Sequence, residues 1–140
     1  MKPSRLCIRL GIYASPKSAL RKTPEELRQL HEAGKKHALE SAEIINKMQP
    51  RHLSLLSLVM EEGTVLWRQW QAGEFVRATP EEVLGEVRTM VENQIVDPLY
   101  FTCDHASNYL PLKGTLPDQR EEFLHALDTV LSGNGRIRPE

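Results

Sequence analysis

Asp104, His105, Ser107, Asn108 and Tyr109 stand in one unbroken run of small, polar and turn-forming residues, Asp104-His105-Ala106-Ser107-Asn108-Tyr109-Leu110-Pro111-Leu112-Lys113-Gly114. They have the chemistry of a small polar ligand site. His105 can serve as acid or base, Asp104 can orient its ring, and Ser107, Asn108 and Tyr109 can hold a polar ligand. The same residue types also build structural turns. Asp, Ser and Asn bond their own backbone, and Tyr109 with Leu110 can anchor the loop on a core. A structural lock is the commoner use of such a run, so these five residues are candidates for ligand binding and no catalytic residue is assigned.

Other chemistries find less support. No second Cys/His pair stands near Cys103 and His105 in sequence, so no metal site is expected. His31 and His37 are not spaced four apart, the step that aligns two ligands on a helix, and read as surface residues. A Ser/His/Asp triad lacks a Gly-x-Ser-x-Gly turn to carry it. Gly133-Asn134-Gly135 is followed by no helix and does not make a phosphate loop. Trp67 and Trp70, three apart, are expected in the core, whereas an exposed pair would mark a protein partner.

The elements that must position these residues are legible from periodicity. Leu6, Ile8, Leu10 and Ile12 alternate with less apolar neighbours, which is a strand. Thr23-Pro24-Glu25-Glu26 and Thr79-Pro80-Glu81-Glu82 each carry a capping hydroxyl, proline at the first helical position and a carboxylate behind it, so a helix starts at both. Leu27, Leu30, Gly34, Ala38, Ala42, Ile45 and Met48 follow three- and four-residue steps, compatible with one helix or with two meeting at Gly34, where glycine costs only about 1 kcal/mol. Residues 53–60 are almost continuously apolar and read as a parallel strand covered on both faces. A short helix is expected at Val65–Gln71, a longer one at Pro80–Asn93 burying Val83, Leu84, Val87, Met90 and Val91, and a third strand at Leu99–Thr102. Asp118, with Glu121 behind it, is expected to cap a last helix with Phe123, Leu124, Leu127, Val130 and Leu131 on its apolar face.

Composition bounds the class. At 140 residues the chain suits one domain and falls short of the roughly 200 residues a complete (β/α)₈ barrel needs. Apolar and charged contents of 40% and 26% are those of a globular chain, and no run is long enough for a membrane span or secretory signal, so a cytoplasmic protein with reduced thiols is expected. Net charge is −1, with basic residues concentrated in 1–36. They are dispersed around a helix without interleaved aromatics, which argues against nucleic-acid binding.

The opening run, with Leu116-Pro117-Asp118 after it, resembles the C-terminal segment of a group of radical S-adenosylmethionine (radical SAM) proteins, where a His-Ala-Ser-Asn-Tyr-Leu-Pro stretch leads from the barrel into a last helix. Two further stretches are similar to the same proteins. Leu10-Gly11-Ile12-Tyr13-Ala14-Ser15-Pro16-Lys17 with Thr23-Pro24-Glu25-Glu26-Leu27-Arg28-Gln29-Leu30-His31-Glu32-Ala33-Gly34 resembles a mid-barrel strand, loop and helix. Residues 60–75, with Gly63-Thr64 and Ala72-Gly73-Glu74-Phe75, resemble the late barrel, with Glu62 and Val65 where the family has proline. Gly34 then runs directly into Lys35-Lys36-His37-Ala38-Leu39-Glu40, similar to a helix much further downstream, as though an internal stretch were deleted.

The resemblance implies a partial (β/α) barrel-like layer of about three mainly parallel strands with helices and a C-terminal helix. That single α/β domain would span 1–132, with a flexible tail at 133–140. Full-length relatives bind S-adenosylmethionine and a 4Fe–4S cluster held by a CxxxCxxC loop, and generate a 5′-deoxyadenosyl radical. This chain has only Cys7 and Cys103, which cannot supply that ligand set, so no cofactor is expected for it. A strand arc cut from a barrel exposes edges and apolar faces. Self-association or a protein partner is expected for that reason.

Overall fold

The computed structural model describes residues 7–12 and 24–139, with side chains from residue 32 onward. The element order is β1 (Cys7–Ile12), α1 (Pro24–Met48), β2 (His52–Ser57), α2 (Val65–Gln71), α3 (Pro80–Asn93), β3 (Leu99–Thr102), β4 (Lys113–Leu116) and α4 (Arg120–Leu131). The strands form one sheet in chain order, β1-β2-β3-β4. β1 and β3 both run parallel to β2, with Leu53 opposite Ile8 and Phe101, while β4 is antiparallel to β3 with Gly114 opposite Phe101. The loop at 13–23, the Thr23 cap and the side chains of Leu27, Leu30 and His31 lie outside the described residues, as does most of the basic N-terminal third.

α1 runs without a break through Gly34, which resolves the two alternatives as a single helix. α1 packs on α3 and α3 on α4, so these helices form one layer on one face of the sheet. Ala38, Ala42 and Ile45 of α1 are buried, as are Val83, Leu84, Val87, Met90 and Val91 of α3. Met48, expected to close the α1 stripe, is exposed at the helix end. Leu53, Leu55, Leu99, Phe101 and Leu116 meet this layer from the sheet, with Phe123 and Leu127 of α4. Arg88 of α3 binds Asp128 of α4 through Nε at 2.5 Å and Nη2 at 3.3 Å, and its guanidinium holds the Asp128 carboxyl below the usual carboxylate range.

β2 corrects the expectation of a strand covered on both faces. It ends at Ser57, and its residues alternate between buried and half-buried. The reason is the one-sided helix layer: Leu53 and Leu55 face it, while His52, Ser54 and Leu56 lie on the other face of the sheet. The tryptophans also depart from expectation. α2 buries none of its residues, Trp67 is half-buried and Trp70 exposed, because among the described elements this two-turn helix has no extensive packing of the kind that joins α1 to α3 and α3 to α4.

Helix starts follow local chemistry in two cases and depart from it in a third. Thr79 Oγ1 accepts from Glu82 N–H at 3.2 Å, and Glu82 Oε2 accepts from Thr79 N–H at 2.8 Å, a complete capping box. Thr79→Ala is therefore expected to cost about 1 kcal/mol in urea denaturation. Thr64 caps α2 by accepting from Trp67 N–H at 3.1 Å. At α4 the expected Asp118 cap is absent. Gln119 occupies the cap position without a side-chain cap bond, because its amide turns back onto β4.

β4 was not expected from the sequence, and its outer edge is closed by that same turn. Gln119 Oε1 accepts from Thr115 N–H at 2.9 Å, and Gln119 N–H donates to Thr115 O at 3.0 Å. Gly114 leaves room for this amide; a Cβ there would collide with the Gln119 side chain. The sheet is thus blunted on the β4 side. Among the described residues no strand pairs with the outer side of β1, and no helix is long and apolar enough to cross a membrane.

Candidate functional site

The polar run from Asp104 is the connection between β3 and β4. Beyond Thr102 the two strands exchange a last pair of bonds, Cys103 N–H to Leu112 O at 2.7 Å and Leu112 N–H to Cys103 O at 3.4 Å, which frames residues 104–111 as a loop. This places the loop beyond the carboxyl end of β3, where parallel sheets gather ligands.

Asn108 is the fixed point. It is 2% exposed, accepts from Ser57 Oγ–H at 2.9 Å and donates from Nδ2 to Leu55 O at 2.8 Å. The ladder between β2 and β3 ends at Ser54 opposite Thr102. Past that point, where β3 has left the sheet, the Asn108 amide serves the β2 backbone in its place. Tyr109 is also buried; its hydroxyl oxygen accepts from Arg77 Nη2 at 3.1 Å and its carbonyl from Arg138 N–H at 2.7 Å.

The remaining candidates face outward. His105 is exposed, and its Nδ1 accepts from Ser107 N–H at 3.1 Å and lies 2.9 Å from Ser107 Oγ. With Nδ1 accepting, the neutral ring carries its proton on Nε2. Ser107 Oγ also accepts from Ser57 N–H at 3.3 Å. Asp104 faces Lys113 Nζ at 3.9 Å, and no bond joins its carboxylate to the His105 ring. The glycine-containing tail, read from sequence as a flexible end, carries specific bonds here. Arg138 Nη1 donates to the carbonyls of Asp104 at 3.1 Å and His105 at 3.0 Å, strapping the tail to the loop.

Cys103 sits beneath the loop at 2% exposure. Burial pushes its thiol up to about 12, with Asp104 adding to the rise and Arg138 opposing it. A neutral, enclosed thiol is a poor nucleophile and a poor metal ligand. Among the described residues no group of three or more His, Cys, Asp or Glu is placed to hold a metal ion.

A second polar group lies on the sheet face away from the helices and was missed in the sequence. His52 Nε2 is 3.0 Å from Thr102 Oγ1, whose hydroxyl donates to Ser54 Oγ at 3.0 Å, and the Tyr100 ring rests on His52 with centroids 5.0 Å apart. Only the β2–β3 register brings these residues together, since His52 is opposite Tyr100 and Ser54 opposite Thr102. The alternation His52-Leu53-Ser54-Leu55 carried half of the signal, but the apolar run around it concealed it.

Taken together, the loop offers a hydroxyl–imidazole pair with Nε2 outward, and the sheet face offers a hydroxyl–imidazole row beside an aromatic ring. Both can bind polar groups. Neither pairs an oriented base with a carboxylate and a set of oxyanion donors, the arrangement that acyl-transfer catalysis requires. No protein-family model, no curated protein and no solved structure matches this chain.

Proposed function

We propose that this chain is a shortened relative of the radical SAM proteins: an arc of barrel with the C-terminal segment, without its own 4Fe–4S cluster or radical chemistry, acting as a binding module that associates with a second chain. The observation that carries this reading is the order of the sheet. β1, β2 and β3 are parallel neighbours in chain order with α1 and α3 side by side on one face, the arrangement of consecutive units in a (β/α) barrel. In a closed barrel the opposite face is interior; here it carries His52, Ser54 and Tyr100. The loop at 104–109 then acts chiefly as a lock that fixes the end of β2.

A small enzyme built on Asp104 and His105 is the competing reading, and the Ser107–His105 contact is the observation in its favour. Asp104 turned toward Lys113 weakens it, because the imidazole then has no carboxylate to orient it.

Anaerobic reconstitution with iron and sulfide tests the cluster-free half of the proposal. The expected outcome is no stoichiometric cluster absorption after desalting. About four irons retained per monomer, with no multimer pooling its cysteines, contradicts it.

A further inference from the structure

Where α1 crosses α3, a carboxyl group lies against a helix backbone with nothing to bond. A Cβ at Gly34 would fall 2.5 Å from Glu86 Oε1, so the Glu86 side chain occupies the notch that glycine leaves in α1. Glu86 is half-buried. Among the described residues it makes no hydrogen bond and no ion pair, whereas its neighbour Glu82 is held by Thr79 N–H and Arg88 by Asp128 and Glu92.

Among the described residues, the charged groups around the notch do not pair with it. On α3 the nearest is Glu82, of the same sign, and Arg88 turns toward α4. On α1, Glu32, Lys35, Lys36 and His37 are exposed, with Lys36 and His37 directed at Glu40 at 3.7 and 3.8 Å. The side chain of His31 lies outside the described residues. On α4, Asp128 is taken up by Arg88 and His125 is exposed.

We propose that the Glu86–Gly34 contact is a pH-sensitive latch between α1 and α3, closed when the carboxyl is neutral and loosened when it ionises. A neutral carboxyl fits an interface where no described side chain offers it a cation. An ionised one must recover water, and the half-buried carboxyl gains fuller hydration as α1 lifts from α3 at the notch. Burial, with Glu82 beside it, raises the Glu86 pKa from 4.5 to about 7. Because the folded value lies above the unfolded one, the stabilisation is complete below about pH 4.5 and is lost as pH rises through about 7. What loosens is the stripe of Ala38, Ala42 and Ile45, which covers the core.

Amide exchange of residues 32–42, with rates normalised to intrinsic exchange, reads the latch in the full chain. Protection is expected to fall about tenfold between about pH 5.5 and pH 8.5, solvent at the half-buried carboxyl having reduced the full effect. Glu86→Gln keeps the shape without the charge and should hold the higher protection at both pH values. A flat wild-type profile overturns the proposal. So does a fall that persists in Glu86→Gln, since that assigns the titration to another group such as His31 or His37.

Discussion

Asn108→Ala is expected to destabilise the protein by about 2–4 kcal/mol, an effect out of proportion to an exposed loop. The loop is exposed, but Asn108 is not: it bonds Ser57 Oγ and Leu55 O at 2% exposure. Removing its amide leaves Leu55 O, past the end of the β3 ladder, without its partner in a buried setting. Asn108→Asp is a sharper probe. It keeps the oxygen that accepts from Ser57 but sets a second oxygen against Leu55 O, so it should cost at least as much as alanine. In a double-mutant cycle with Ser57→Ala, the coupling should be about 1 kcal/mol. Urea denaturation with an unchanged m-value checks all three, and a loss below about 0.5 kcal/mol for Asn108→Ala would return the residue to the role of ligand contact.

Phe101→Ala should cost about 3–5 kcal/mol. Phe101 is 1% exposed at the centre of β3, between Leu53 of β2 and Gly114 of β4, and its ring meets Phe123 of α4 at 5.8 Å. Its removal opens a cavity between sheet and helix layer where β2, β3, β4 and α4 meet. Against a typical domain stability of about 5–15 kcal/mol, such a loss leaves little margin. Thermal unfolding of Phe101→Leu, which keeps most of the volume, should lie close to wild type, while the alanine variant melts far lower or fails to fold.

Local chemistry was readable and long-range pairing was not. The Pro80–Asn93 helix and the Leu99–Thr102 strand follow from a capping tetrapeptide and a short β-branched and aromatic run, signals contained in their own residues. Residues 53–60 misled because a run of leucines does not reveal how many layers will cover it; that number is set by α1, α3 and α4 all falling on one face. β4 escaped notice because Lys113-Gly114-Thr115-Leu116 sits inside a stretch dominated by turn formers, and its pairing depends on Cys103 and Leu112 closing the loop. For the candidate site, the sequence supplied Asn108 and Tyr109 as polar anchors. It did not supply Arg138, which arrives from the tail, nor the Asp104–Lys113 orientation. Both depend on where distant segments return.

If the chain is, as proposed, an arc of barrel, it leaves surface for a second chain to cover. Gln119 closes the β4 edge, and among the described residues no strand pairs with the outer side of β1 and Tyr100 is exposed beside His52, so the proposed contact falls there. Sedimentation equilibrium at micromolar concentration is the most direct test. The account predicts a mass above that of the monomer that rises with concentration. A monodisperse monomer that unfolds cooperatively and binds no apolar dye would show that the shortened fold closes on itself, and would contradict the account.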